Sequence, residues 1–160
     1  MHADAYCASP QRPTNNNERW LTAQLTARGH SARVVMQLPD DASVIGHWLA
    51  SLLSSGHTPI LVAGGMGGTH DDKTREGVAL ALALPLERHA ECDSILAAKY
   101  AVAADGLGYT EERQRMAMLP RGAELVPNPI GAPGWRCAAC TLSLAFRQCC
   151  TRWLQRCWTA

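Results

Sequence analysis

The run "TPILVAG", residues 58–64, is apolar from Pro59 to Ala63 and closes on a glycine. A run this short with no polar face fits a strand buried on both sides, which is the signature of a parallel sheet covered by helices. Parallel neighbours must be joined by crossovers of a dozen or more residues, usually helical. This one stretch therefore directs the chain to an α/β fold, and the flanking segments agree. "SARVVMQL" (31–38) is β-branched at its centre and reads as a strand. "PDDASVIGHWLASLLSSG" offers Asp41 as an N-cap ahead of Val44, Ile45, Trp48, Leu49 and Leu52 at helical spacing. Upstream, "NNERWLTAQLTAR" (16–28) sets Trp20, Leu21 and Leu25 on one helical face, with Gly29 as the stop.

Beyond residue 70, "DDKTREGVALALAL" opens with acids, puts Val78 and Leu82 on one face and predicts a helix ended by Pro85. "AECDSILAAKYAVAA" (90–104) and "TEERQRMAML" (110–119) predict two more helices, and "AELVPNPIGAPG" (123–134) a brief strand breaking into a turn. Trp20, Trp48, Val44, Leu52, Val78 and Leu82 are the expected core.

A chain of 160 residues suits a single domain. Its 15 Lys and Arg against 14 Asp and Glu leave a net charge of +1, which lacks the basic footprint of a nucleic-acid binder. No stretch reaches the roughly 18 uninterrupted apolar residues of a membrane span, and the amino end has no apolar signal region. The expectation is a cytoplasmic protein without nucleic-acid or membrane partners.

The stretch "GGMGGTHDD" (64–72) carries the chemistry. A glycine-rich turn between a parallel strand and a helix is where open α/β sheets bind ligands, because glycine lets a ligand approach the backbone and the helix start offers free N–H groups. Asp71 and Asp72 beside an anion would repel it unless a divalent cation lay between, so a metal-bridged phosphate or pyrophosphate reconciles the two features. Without a ligand, the same aspartates would simply favour a helix start, and Thr69 would be its N-cap. The spacing fits neither the dinucleotide nor the Walker pattern.

"GGMGGTHDDKTREGVALALALPLERH" (64–89) resembles the signature of the molybdopterin-binding (MoCF-type) domain, and more narrowly the amino-terminal domain of the competence/damage-inducible protein A (CinA) family, whose loop commonly reads GG-x-G-P-T-x-D-D-x-T. "TNNNERWLTAQLTARGH" (14–30) is similar to that family's first helix. "RQRMAMLPRGAELVPNPIGAPGW" (113–135) is similar to its Pro-x-Gly-Ala and Asn-Pro-x-Gly stretch. The resemblance covers residues 14–135 and implies a three-layer α/β/α domain with a mostly parallel sheet, like that of MoaB and Mog proteins. It implies that Gly64, Gly65, Gly67, Gly68 and Thr69 cradle a phosphate-bearing pterin or nucleotide, with Asn128 and Gly131 at the pocket edge. Asp71 and Asp72 would contact the ligand or a divalent cation such as Mg²⁺. Relatives bind molybdopterin species or, in the competence branch, hydrolyse the pyrophosphate of ADP-ribose with a divalent metal, in which case Asp71 and Asp72 would be catalytic. Related domains are commonly homo-oligomers. Gly68 departs from the family's proline, which is expected to loosen the loop while keeping its donors.

Both ends depart from the family. "MHADAYCASPQRP" stands where a first apolar strand and a Gly-x-Glu-x-Leu-x-Gly turn are usual, and no Leu-Pro-Gly-x-Pro turn follows Trp135. Five of the seven cysteines (Cys137, Cys140, Cys149, Cys150, Cys157) fall within 137–160, a stretch without Gly, Pro, Asp, Glu, Lys or His. Residues 1–13 and 136–160 are read as atypical ends translated out of the ancestral frame, and a degraded, non-functional product is the corresponding alternative. Cys137 and Cys140 have zinc-ligand spacing, but the adjacent Cys149 and Cys150 and the lack of histidine in the tail argue against a tetrahedral site. Elsewhere, His70 lies in the loop, and Glu91 and Asp93 could add metal ligands or simply face solvent.

Overall fold

A computed structural model describes residues 5–8, 16–103, 105–128, 132–137 and 141–144, with side chains within 18–137 of these segments. Among the described residues the elements follow in the order β1 (Ala5–Ala8), α1 (Asn16–Thr26), β2 (Val35–Gln37), α2 (Ala42–Ser54), β3 (Ile60–Ala63), α3 (Thr74–Leu82), β4 (Leu86–Arg88), α4 (Ala90–Ala101), α5 (Glu111–Arg115), β5 (Met118–Pro120), β6 (Glu124–Val126), β7 (Gly134–Cys137) and β8 (Thr141–Leu144). The sheet runs β2-β1-β3-β8-β7-β6, and only β7 opposes the common direction. The three-layer α/β/α fold with its mostly parallel sheet is the one the sequence implies.

The strand order has a direct consequence. From β1 the chain steps outward to β2, then returns past β1 to β3. Right-handed crossovers in opposite directions put α1 and α2 on opposite faces. They also open a crevice at the carboxyl ends of β1 and β3, the switch point where such sheets bind ligands. All four residues of β3 are buried, as its unbroken apolar run predicts. Ile60 and Val62 join Leu49, Val78, Leu119 and Trp135 in the core, and Leu21 and Leu25 of α1 are also buried. Asp41 caps α2 by accepting from the backbone N–H groups of Ser43 and Val44 at 2.8 and 3.0 Å.

Four local expectations change. The helix after the glycine-rich loop starts at Thr74, so Asp71 and Asp72 precede it and Thr69 is not its N-cap; Lys73 stands there without a side-chain cap bond. That helix stops before Pro85, through a left-handed Ala83 with φ 53°. Of 110–119 only Glu111–Arg115 is helical, because Met118–Pro120 pairs antiparallel with Leu86–Arg88 and tertiary pairing overrides local propensity. Trp48 is exposed: α2 turns Ile45, Gly46, Leu49 and Leu52 inward, leaving the indole at the rim beside His47. The sheet also takes β1 and β8 from outside residues 14–135, β1 lying between β2 and β3 although its sequence carries no recognisable strand pattern.

Candidate functional site

Gly64 follows the last residue of β3, so the glycine-rich loop rises from the carboxyl edge of the sheet next to β1. Gly64 and Gly65 take φ of 103° and 57°, conformations that side-chain-bearing residues rarely adopt. Space is restricted as well, since a Cβ on Gly65 would come within 2.5 Å of the Thr74 hydroxyl and 2.8 Å of Asp40 Oδ1. Thr74, the first residue of α3, locks this turn by donating its hydroxyl to the Gly64 carbonyl at 2.7 Å and its N–H to the Gly65 carbonyl at 3.2 Å. Gly67 and Gly68 are equally confined, the first by the Asp72 carboxylate and the second by the backbone carbonyl of Glu112.

The two aspartates differ in role. Asp72 Oδ2 accepts from the Thr69 N–H at 3.0 Å and from its hydroxyl at 2.5 Å, folding the loop back on itself. Asp71 projects into solvent and meets His70 Nε2 at 3.0 Å. Among the described residues no three His, Cys, Asp or Glu side chains gather as a metal site. The loop thus supplies at most two carboxylates, a donor set that suits Mg²⁺, which keeps several waters and takes phosphate oxygens. The backbone N–H groups of Gly67 and Gly68 have no acceptor among the described residues.

Other sequence candidates lie elsewhere. Asp93 accepts from the Tyr109 hydroxyl and from Arg88, both at 2.7 Å, and these bonds hold its carboxyl below the usual range. Glu91 is exposed beside it in the first turn of α4. His89 caps α4, its Nδ1 accepting from the Cys92 N–H at 3.2 Å. Asn128 Nδ2 donates to the Ala132 carbonyl at 2.9 Å, whereas Gly131, Cys140, Cys149, Cys150 and Cys157 lie outside the described residues. Cys137 is buried in the core, and burial pushes its thiol up to about 11, which disfavours the thiolate a zinc ion needs. No described helix is long and apolar enough to cross a membrane.

Three residues that the sequence does not single out join the loop. Asp40 faces Gly65 from the β2–α2 turn, Thr74 bonds to Gly64 and Gly65, and Arg75 donates to the carbonyl of Gly67 at 2.6 Å. Thr74 and Arg75 look like ordinary first-turn residues in sequence; only their 4% and 2% exposure sets them apart.

A family model described as a probable molybdopterin binding domain matches residues 6–138. A protein of Aeropyrum pernix is 39% identical over 124 residues, 77% of this chain and 45% of that protein. One of Caldivirga maquilingensis is 39% identical over 126 residues, 77% of this chain and 47% of that one. The chain thus spans about half the length of the curated relatives it matches. Among solved structures, the protein CinA of unknown function from Thermoplasma acidophilum shares the fold with a TM-score of 0.80 at 24% identity, over 98% of this chain and 96% of that one. A molybdopterin biosynthesis protein from Mycobacterium abscessus gives a TM-score of 0.50 at 16% identity, over 91% and 82%.

Proposed function

This chain belongs to the probable molybdopterin binding domain family, and on that premise we propose that it binds a phosphate-bearing pterin or nucleotide at the loop formed by Gly64, Gly65, Gly67, Gly68 and Thr69. The observation that carries the reading is the pair of N–H groups at Gly67 and Gly68 that have no acceptor among the described residues, on a loop that Thr74 and Asp72 tie down. Fixed donors at a sheet switch point bind an anion without having to reorganise first. Asp71, free in solvent apart from His70, is the group that would meet a divalent cation on the ligand's phosphates. Its exposure also favours a second reading, Mg²⁺-dependent hydrolysis of ADP-ribose at its pyrophosphate. There Asp71 and Asp72 would hold the metal, which supplies charge neutralisation at the phosphates. Binding is the primary reading because Asp72 is already engaged by Thr69.

Thermal unfolding of the protein alone, with molybdopterin, and with ADP-ribose plus Mg²⁺ tests both. A ligand at about 100 times its Kd adds about 2.7 kcal/mol to the unfolding free energy. A higher midpoint with molybdopterin or ADP-ribose supports binding, and its loss on Gly65→Ala assigns it to this loop. Release of AMP and ribose 5-phosphate, abolished by Asp71→Asn with binding retained, supports hydrolysis. A midpoint unmoved by either ligand refutes both and leaves the degraded-product alternative.

A further inference from the structure

Arg75 is the second residue of α3 and is 2% exposed beneath the glycine-rich loop. Its Nη1 donates to the Gly67 carbonyl at 2.6 Å and to the Met66 carbonyl at 3.4 Å. Among the described residues no carboxylate comes within ion-pair distance of it. Burial pushes its pKa down; Glu76 and Asp72 oppose that through space, and the like charge of Arg115 on α5 adds to it. A buried cation is costly unless it is both hydrogen-bonded and paired. Arg75 has the hydrogen bonds, and its countercharges stand off.

Peptide geometry gives those bonds a consequence. In a trans peptide the carbonyl of one residue and the N–H of the next point to opposite sides. Drawing the Met66 carbonyl toward Arg75 turns the Gly67 N–H away from it, and drawing the Gly67 carbonyl inward does the same for Gly68. Both of these donors are without an acceptor among the described residues. We propose that Arg75 is a positioning residue for anion recognition: it holds the Met66 and Gly67 carbonyls inward, aims the Gly67 and Gly68 N–H groups at the ligand, and adds its positive charge to the field that the ligand's phosphate meets across the loop. This rests on the binding reading above and adds to it the residue that orients the loop's donors. The loop selects the phosphate or pyrophosphate charge, and a neutral pterin or nucleoside binds poorly.

Titration calorimetry of the whole protein with inorganic pyrophosphate tests this, using Arg75→Lys, which keeps the charge, and Arg75→Gln, which keeps a donor for the Gly67 carbonyl without charge. The expected result is binding by the parent, a loss of about threefold or less in R75K, and a loss of about tenfold or more in R75Q with a weaker salt dependence. Equal losses in the two variants would mark a merely structural role and overturn the proposal, and so would parent-like binding by R75Q; in both cases the binding reading survives. No binding of pyrophosphate and no molybdopterin or ADP-ribose effect on the parent would overturn both. Amide NMR of the parent gives a second measurement that needs no variant to fold. Pyrophosphate should shift the Gly67 and Gly68 resonances, and their immobility overturns the proposal.

Discussion

The backbone carbonyl of Glu112 lies so close to Gly68 that a Cβ at position 68 would overlap it. Glu112 belongs to α5, a short helix held by its amino-terminal cap and by Arg113. Thr110 caps it, and Arg113 donates to the Gly108 carbonyl, pairs with Asp105 and lies 4.2 Å over the Tyr100 ring. Gly68 therefore serves a close approach between the loop and a neighbouring helix.

Gly68→Ala is expected to destabilise the protein by about 1–3 kcal/mol, the usual range for an overpacked site. Gly68→Pro should cost at least as much, since its ring also begins with a Cβ. Urea unfolding measures both. An unchanged midpoint would mean that α5 moves aside freely.

The crossing of α2 and α3 depends on two glycines. A Cβ on Gly77 would collide with the Ile45 side chain, and one on Gly46 would sit 3.0 Å from Leu80 Cβ. Gly77→Ala should lower stability by about 1–3 kcal/mol, and its cost should be smaller in a background of Ile45→Ala, which removes the Cγ2 that the added Cβ would meet. Strict additivity of the two changes would show that the collision is relieved elsewhere.

Asp72 and Thr69 form one unit through the carboxylate's two bonds to the threonine N–H and hydroxyl. A double-mutant cycle with Asp72→Asn and Thr69→Val should give a coupling of about 0.5–2 kcal/mol in stability. A coupling near zero would mean that water replaces the contact at no cost.

Two buried thiols set an alkaline limit. Burial pushes Cys92 and Cys137 up to about 11 in the folded state. A folded-state pKa raised above the unfolded value means that their contribution is fully present below the ordinary thiol range. It is lost as pH rises from about 9 toward 11. Stability followed across that window should fall in the parent and fall less in Cys92→Ala. Both thiols should resist iodoacetamide at pH 8 until the chain unfolds; rapid labelling of the native protein would contradict their burial.

Much of the fold is legible in the amino-acid sequence. The unbroken apolar run of β3 marks a strand buried on both faces, Asp41 marks the start of α2, and the resemblance over 64–89 points to the family together with its three-layer architecture. Short-range signals of this kind survive in sequence because they are periodicities and caps, which each act over a few residues. The strands β4 and β5 leave no such mark, because three residues carry almost no periodicity. Their identity comes from each other, across 30 to 34 positions.

The sequence by itself determined an α/β chain with a glycine-rich, acid-bearing loop after a central strand, and a family for it. Only the tertiary structure decided what each loop residue does. Asp71 and Asp72 are neighbours in sequence, yet one stands in solvent and the other is folded onto Thr69. Arg75 reads as a surface helix residue, yet lies buried beneath two loop carbonyls, and Gly68 fits because a carbonyl of a distant helix occupies the space beside it. Burial and hydrogen-bond direction depend on which distant segments are packed together, a relation that local pattern does not encode.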